Sequence, residues 1–134
     1  MVVSTRGSWT RHAVLAVVAI AVVVLPSRGF AQVPPGVDAA LKQMLEAVKS
    51  ASYSQFVAPG DPRFLSGFTQ EMFEDLSKRL APRLKTGYST SYLGQLHQRG
   101  YAVYVWKLAF EDGGDDVLLT VFATGGKVSG FIPR

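Results

Sequence analysis

YSTSYLGQLHQRGYAVYVWKLAFEDGGDDVLLTVFATGGKVSGFIPR, residues 88–134, decides the fold. Apolar segments rich in Val, Leu, Tyr, Trp and Phe are interrupted at Gly100, Gly113-Gly114 and Gly125-Gly126. Such side chains favour strands, and a glycine pair between two runs supplies the positive φ that tight hairpin loops need. The stretch predicts a four-stranded antiparallel meander. With Gly113-Gly114 as the loop, Phe110 opposes Val117, Leu108 opposes Leu119, Trp106 opposes Val121 and Tyr104 opposes Ala123. That face is uniformly apolar. Lys107 with Thr120, Val105 with Phe122 and Val103 with Thr124 make the other face mixed, and a one-residue slip would scramble both.

Applied at Gly125-Gly126, the same rule brings Val128, Gly130 and Ile132 onto the apolar face. Gly130 then leaves room beside the Trp106 indole, since glycine inside a strand marks a bend or a close approach. The first turn has two readings. A two-residue loop at Arg99-Gly100 turns Gln95 and His97 to the concave face. A three-residue loop, Gln98-Arg99-Gly100, turns Tyr88, Thr90, Tyr92, Gly94 and Leu96 there instead, with Tyr92 beside Trp106. The second buries more apolar area and is preferred.

Working outward to the N-terminus, residues 1–12 carry Arg6 and Arg11 and no acid, and Ala13–Leu25 is an unbroken apolar run. Pro26 follows, then Gly29-Phe30-Ala31, with small residues where signal peptidase reads. This pattern predicts a secretory signal peptide over residues 1–31, cleaved after Ala31. Thirteen helical residues reach only ~20 Å, too short for a bilayer core of ~30 Å, so no membrane association is expected after cleavage. The product is expected to be periplasmic or extracellular. Of the 14 Lys and Arg, three (Arg6, Arg11, Arg28) leave with the signal and all 10 acids stay, so the net charge falls from +4 to +1. That excludes a nucleic-acid partner recognised by charge. Residues 32–134 are one domain's worth of chain with no cysteine, so burial alone must hold it.

Leu41, Met44, Leu45 and Val48 recur at helical spacing after Asp38, a good N-cap, and predict an amphipathic helix to about Ser52. Phe56, Phe64, Leu65 and Phe68 make the segment around Pro59-Gly60-Asp61-Pro62 too apolar for an idle loop, and a helical turn can follow Pro62. Thr69 caps a second helix with Met72, Phe73, Leu76 and Leu80 inward, which Pro82 kinks or stops. Lys78, Arg79, Arg83 and Lys85 read as a solvated face, the first two paired with Glu74 and Asp75.

The fold class is therefore α+β: N-terminal helices packed on a curved antiparallel four-stranded meander. Tyr92-Leu93-Gly94, Val105-Trp106-Lys107-Leu108 and Gly126-Lys127-Val128-Ser129-Gly130-Phe131 carry a resemblance to small secreted bacterial members of the nuclear transport factor 2-like superfamily. The resemblance covers about Asp38 to Phe131 and implies a cone-shaped sheet with a pocket inside. Its enzymes, steroid isomerases and SnoaL-like cyclases, place an Asp or an Asp–His pair within the cone. This chain has no carboxylate at any strand-interior position of its concave face.

Tyr88, Tyr92, Tyr104, Trp106 and Phe110 are expected to face Leu41, Met44, Met72 and Phe73. They read either as plain core or as a pocket for a small apolar or aromatic ligand oriented by Tyr hydroxyls. His97 reads as a surface residue beside Tyr101. Glu111-Asp112-Gly113-Gly114-Asp115-Asp116 lacks the spacing of a calcium loop and reads as a solvated hairpin tip. No metal and no cofactor is expected. Val103, Val105, Leu118, Phe122 and Phe131 leave the outer sheet face too apolar for a free surface, which predicts a homodimer through the sheets or an unrecognised cover. The function expected is a non-catalytic exported domain binding a small apolar ligand or a protein partner. One alternative is an isomerase- or cyclase-type enzyme with Tyr92 or Tyr104 as acid and His97 as base. A second is a cystatin-like interaction module, although no Gln-x-Val-x-Gly loop is present.

Overall fold

Among the described residues helices come first and strands second, and one apolar layer joins them. The computed structural model describes residues 32–134; the predicted signal peptide lies outside them. The helices are α1 (Pro35–Lys49), α2 (Tyr53–Val57), α3 (Pro62–Gly67) and α4 (Gln70–Lys85). The strands β1 (Tyr88–Gln98), β2 (Tyr101–Phe110), β3 (Val117–Thr124) and β4 (Lys127–Pro133) form an open antiparallel sheet in chain order.

Local chemistry sets the helix starts. Thr69 Oγ1 accepts the Met72 N–H at 3.2 Å and opens α4 as expected, whereas Asp61 does the same for α3 through Phe64. Asp38 is not the cap of α1. Proline at the first helical position, Pro35, starts that helix earlier, and Asp38 sits in its first turn bound to Lys42 at 2.7 Å. Pro82 does not stop α4, which runs on to Lys85. The aromatic segment before α4 folds over the core as expected, and it adds the short helix α2. Phe56 is fully buried, with the rings of Phe68, Phe73 and Phe131 each 5.1 Å away.

The sheet keeps the predicted strand order, and β2 and β3 keep their predicted inner face, but the registers differ. Six residues rather than two connect β2 to β3, so Trp106 opposes Leu119 and Tyr104 opposes Val121. The slide is by two positions, which preserves the faces. The loop is long because Arg83 holds its tip: Nε meets Asp112 Oδ2 at 2.8 Å, and Nη2 meets the Asp115 carbonyl at 2.7 Å. Arg83 therefore does not belong to a solvated face. Nor do the expected partners pair with Lys78 and Arg79, since Arg79 Nε donates instead to the Asp75 carbonyl at 3.3 Å.

At the first turn both readings hold in part. Arg99 and Gly100 both have positive φ, 50° and 85°, which is the two-residue primed turn. An irregularity between Tyr92 and Gly94 then shifts the pairing, so Tyr92 still lies opposite Trp106. Gly94 and Leu96 consequently fall on the outer face. At the last turn the pairing jumps after Ala123–Val128 to Phe122–Gly130, leaving Ser129 as the extra residue of a bulge. Phe131 thereby points into the core and Ile132 out of it, the reverse of the sequence expectation. Gly130 lies opposite Phe122 on the outer face, not beside Trp106. A Cβ there would stand 3.2 Å from the Phe122 ring, so glycine is what lets that ring lie across β4.

Candidate functional site

The residues predicted to line a pocket are brought together with one exception, and what they form is core. Met44, Phe73, Tyr104, Trp106 and Phe110 are buried in a single cluster, with Tyr88 and Tyr92 half-buried against it. Met72 is 48 % exposed and faces away; the neighbouring Phe73 takes the inward position on α4. Tyr92 lies 5.5 Å and Tyr104 6.2 Å from the indole, centroid to centroid. Phe110 packs beneath the Arg83 guanidinium at 3.9 Å, a cation–π contact.

Two phenols carry the polarity of this layer. Tyr88 donates to Glu46 Oε1 at 3.2 Å, and burial followed by the Glu46 charge raises its pKa. The Tyr92 hydroxyl is buried with no hydrogen-bond partner, and burial likewise raises its pKa. Both phenols are thus held protonated. His97 sits on the inner-face side of β1, exposed at its end, with Nε2 3.4 Å from Gln95 Nε2. Five residues of strand separate it from Tyr92, about 16 Å. No carboxylate orients its ring among the described residues, so the geometry joins no acid–base pair. No group of acids and histidines among the described residues is placed to hold a metal ion.

The clefts open outside this layer, although Phe73 also borders the first of them. One of about 360 Å³ lies beside α4 between Tyr53, Phe73, Lys78 and Lys85. A second, of about 440 Å³, lies between Arg63, Arg99 and Tyr101 at the first hairpin turn. Asp61 borders it but is already fully engaged. Its Oδ1 accepts the Phe64 N–H at 2.8 Å and its Oδ2 the Ser129 hydroxyl at 2.6 Å. Those bonds, Ser129 first, hold its pKa below the ordinary carboxylate range.

The remaining feature is the outer face of the sheet. Two cross-strand rows run over it, Leu96–Val103–Phe122–Gly130 and Gly94–Val105–Thr120–Ile132. A groove of about 240 Å³ lies along them, extending to Leu118 and Arg134. Val103 is only 2 % exposed although it lies outside the helix-covered core. Its own neighbours bury it, and the Tyr101 ring stands edge-on to Phe122 at 6.2 Å. Around it Leu96, Leu118 and Ile132 are 50, 43 and 37 % exposed. Charge lies at the two ends of the face: at one, Lys107 pairs with Asp116 at 3.6 Å and Arg134 bonds through its backbone to Leu118; at the other, Lys127 lies opposite Thr124. The sequence pointed to this face. It missed Leu96 and Ile132, whose placement depends on the two irregular pairings.

Neither a protein-family model nor a curated protein matches the chain.

Proposed function

We propose that this chain is an exported, non-catalytic binding domain of the nuclear transport factor 2-like type, and that it docks a protein partner on the outer face of its sheet. The observation that carries the reading is the cluster of exposed Leu96, Leu118 and Ile132 around an uncharged centre with no helix over it. Monomeric proteins rarely leave such a face open. The cone-like form is supported by the irregular pairings in β1 and β4, since bulges bend a sheet.

A small apolar ligand is the weaker occupant. The predicted aromatic residues are packed together as core, and the outer groove of about 240 Å³ falls below the ~300–1,000 Å³ usual for small-molecule sites, which leaves the cleft of about 360 Å³ beside α4 as the place for such a ligand. The partner surface that fits is apolar at its centre, with an acidic group at the end where Arg134 lies.

The test is photo-crosslinking in the host cell, with a crosslinker placed at Leu118 or, as control, at Met72. Adducts to a discrete protein from position 118 and not from 72 are the expected result. Equal labelling from both positions, or a small molecule retained in native mass spectrometry, overturns the reading.

A further inference from the structure

The two edges of the sheet are finished differently. On β4, a loop covers Val128: its N–H donates to the Pro59 carbonyl at 2.9 Å, and its carbonyl accepts the Asp61 N–H at 2.8 Å. Lys127, the Ser129 bulge and Pro133 blunt the rest, the usual defences of an edge strand. β1 is the longest strand, with no Lys, Arg, Asp, Glu or Pro in eleven residues. Ser89, Thr90 and Ser91 are exposed, and only the irregularity at Leu93 interrupts the strand.

An unpaired strand edge specifies its own occupant, because its free N–H and C=O groups are satisfied by another strand. Tyr88-Ser89-Thr90-Ser91-Tyr92 reads the same in both directions. In an antiparallel pair centred on Thr90, Tyr88 meets Tyr92 of the second copy, Ser89 meets Ser91, and Thr90 meets its own equivalent. Aromatic pairs and Ser or Thr pairs directly opposite each other stabilise a sheet. Across the two-fold axis only Thr90 faces its own equivalent, and the strand has no Lys, Arg, Asp or Glu to set like charges against each other at the other positions.

We infer that β1 is a self-pairing edge: a second copy adds its β1 antiparallel about Thr90, joining the two four-stranded sheets into one continuous sheet. The outer faces then lie side by side as one larger apolar surface. This inference stands independently of the docking proposal.

The chain has no cysteine, so single-cysteine crosslinking of the purified protein reads the register directly. Thr90→Cys places two thiols opposite each other at disulfide range, whereas Ser91→Cys places them two positions out of register. The expected result is rapid covalent dimerisation of Thr90→Cys and slow dimerisation of Ser91→Cys. Sedimentation gives the second reading. The double variant Ser89→Lys/Ser91→Lys is expected to weaken the dimer roughly tenfold or more, and Ser89→Lys/Ser91→Glu to restore it. Far-UV circular dichroism checks that each variant is folded. A protein monomeric at every concentration, or a dimer broken by Leu118→Asp but indifferent to both lysine substitutions, overturns the inference.

Discussion

The inner and outer faces of this sheet are both apolar, yet they hold their apolar residues by different means. On the inner face Trp106, Leu108, Leu119 and Val121 are buried by helices contributed from a distant part of the chain. On the outer face Val103 is buried by strand neighbours alone, and the residues around it stay open to water. Apolar content therefore does not separate core from surface in a two-layer fold. What separates them is whether a second layer arrives.

Adjacent residues on β4 give the sharpest way to break the comparison. Phe131→Ala is expected to cost about 3–5 kcal/mol, the usual loss for a buried aromatic, read by denaturant unfolding. Ile132→Ala, one residue on, is expected to cost no more than about 1 kcal/mol. If the two costs were reversed, the Ser129 bulge would be misplaced, and with it the assignment of both faces. Trp106→Ala belongs with Phe131→Ala.

Tyr92→Phe sharpens the account of the inner face. Removing a buried hydroxyl that has no partner should be neutral or stabilise by up to about 1 kcal/mol. A loss instead would mean that the hydroxyl is satisfied. Acid tests the connections that hold the layers. Asp61 and Asp112 both have folded-state pKa values below the ordinary range, Asp61 chiefly through Ser129 and Asp112 chiefly through Arg83. A depressed carboxylate adds stability that is fully present above its unfolded pKa of about 4 and disappears as pH falls through the folded value. Melting temperature should therefore drop with acidification below about pH 4, and Asp112→Asn should flatten that dependence. The smallest expected effect is on the outer face. Leu118→Lys should change stability by no more than about 0.5 kcal/mol while abolishing partner adducts.

Much of this was legible from residues 88–134. The glycine punctuation gave the strand order, and strict alternation gave the faces of β2 and β3, because a slide of two positions leaves their side chains where they were; Leu96 on β1 and Phe131 and Ile132 on β4 lie on the faces opposite to those expected. The bulge was not legible. It depends on Ser129 meeting Asp61, a contact between residues 68 apart that no local pattern records. The Arg83 clasp was hidden for the same reason, and in sequence Arg83 looked like one more cation at a helix end. The Asp61-Pro62 pair was a readable helix start whose second oxygen had no visible destination. The aromatic constellation was gathered correctly except for Met72. An aromatic stripe in sequence does not say whether space is left between its rings, and here the rings fill it.

The layering has a consequence for the order in which the molecule comes into being. Synthesis delivers the four described helices before β1, so Leu41, Met44 and Phe56 emerge long before the strand residues that will shelter them. Each strand, by contrast, pairs with the one just made. The growing chain therefore passes through a stage at which its helices can pack only on one another, with the face that meets the sheet still open to water.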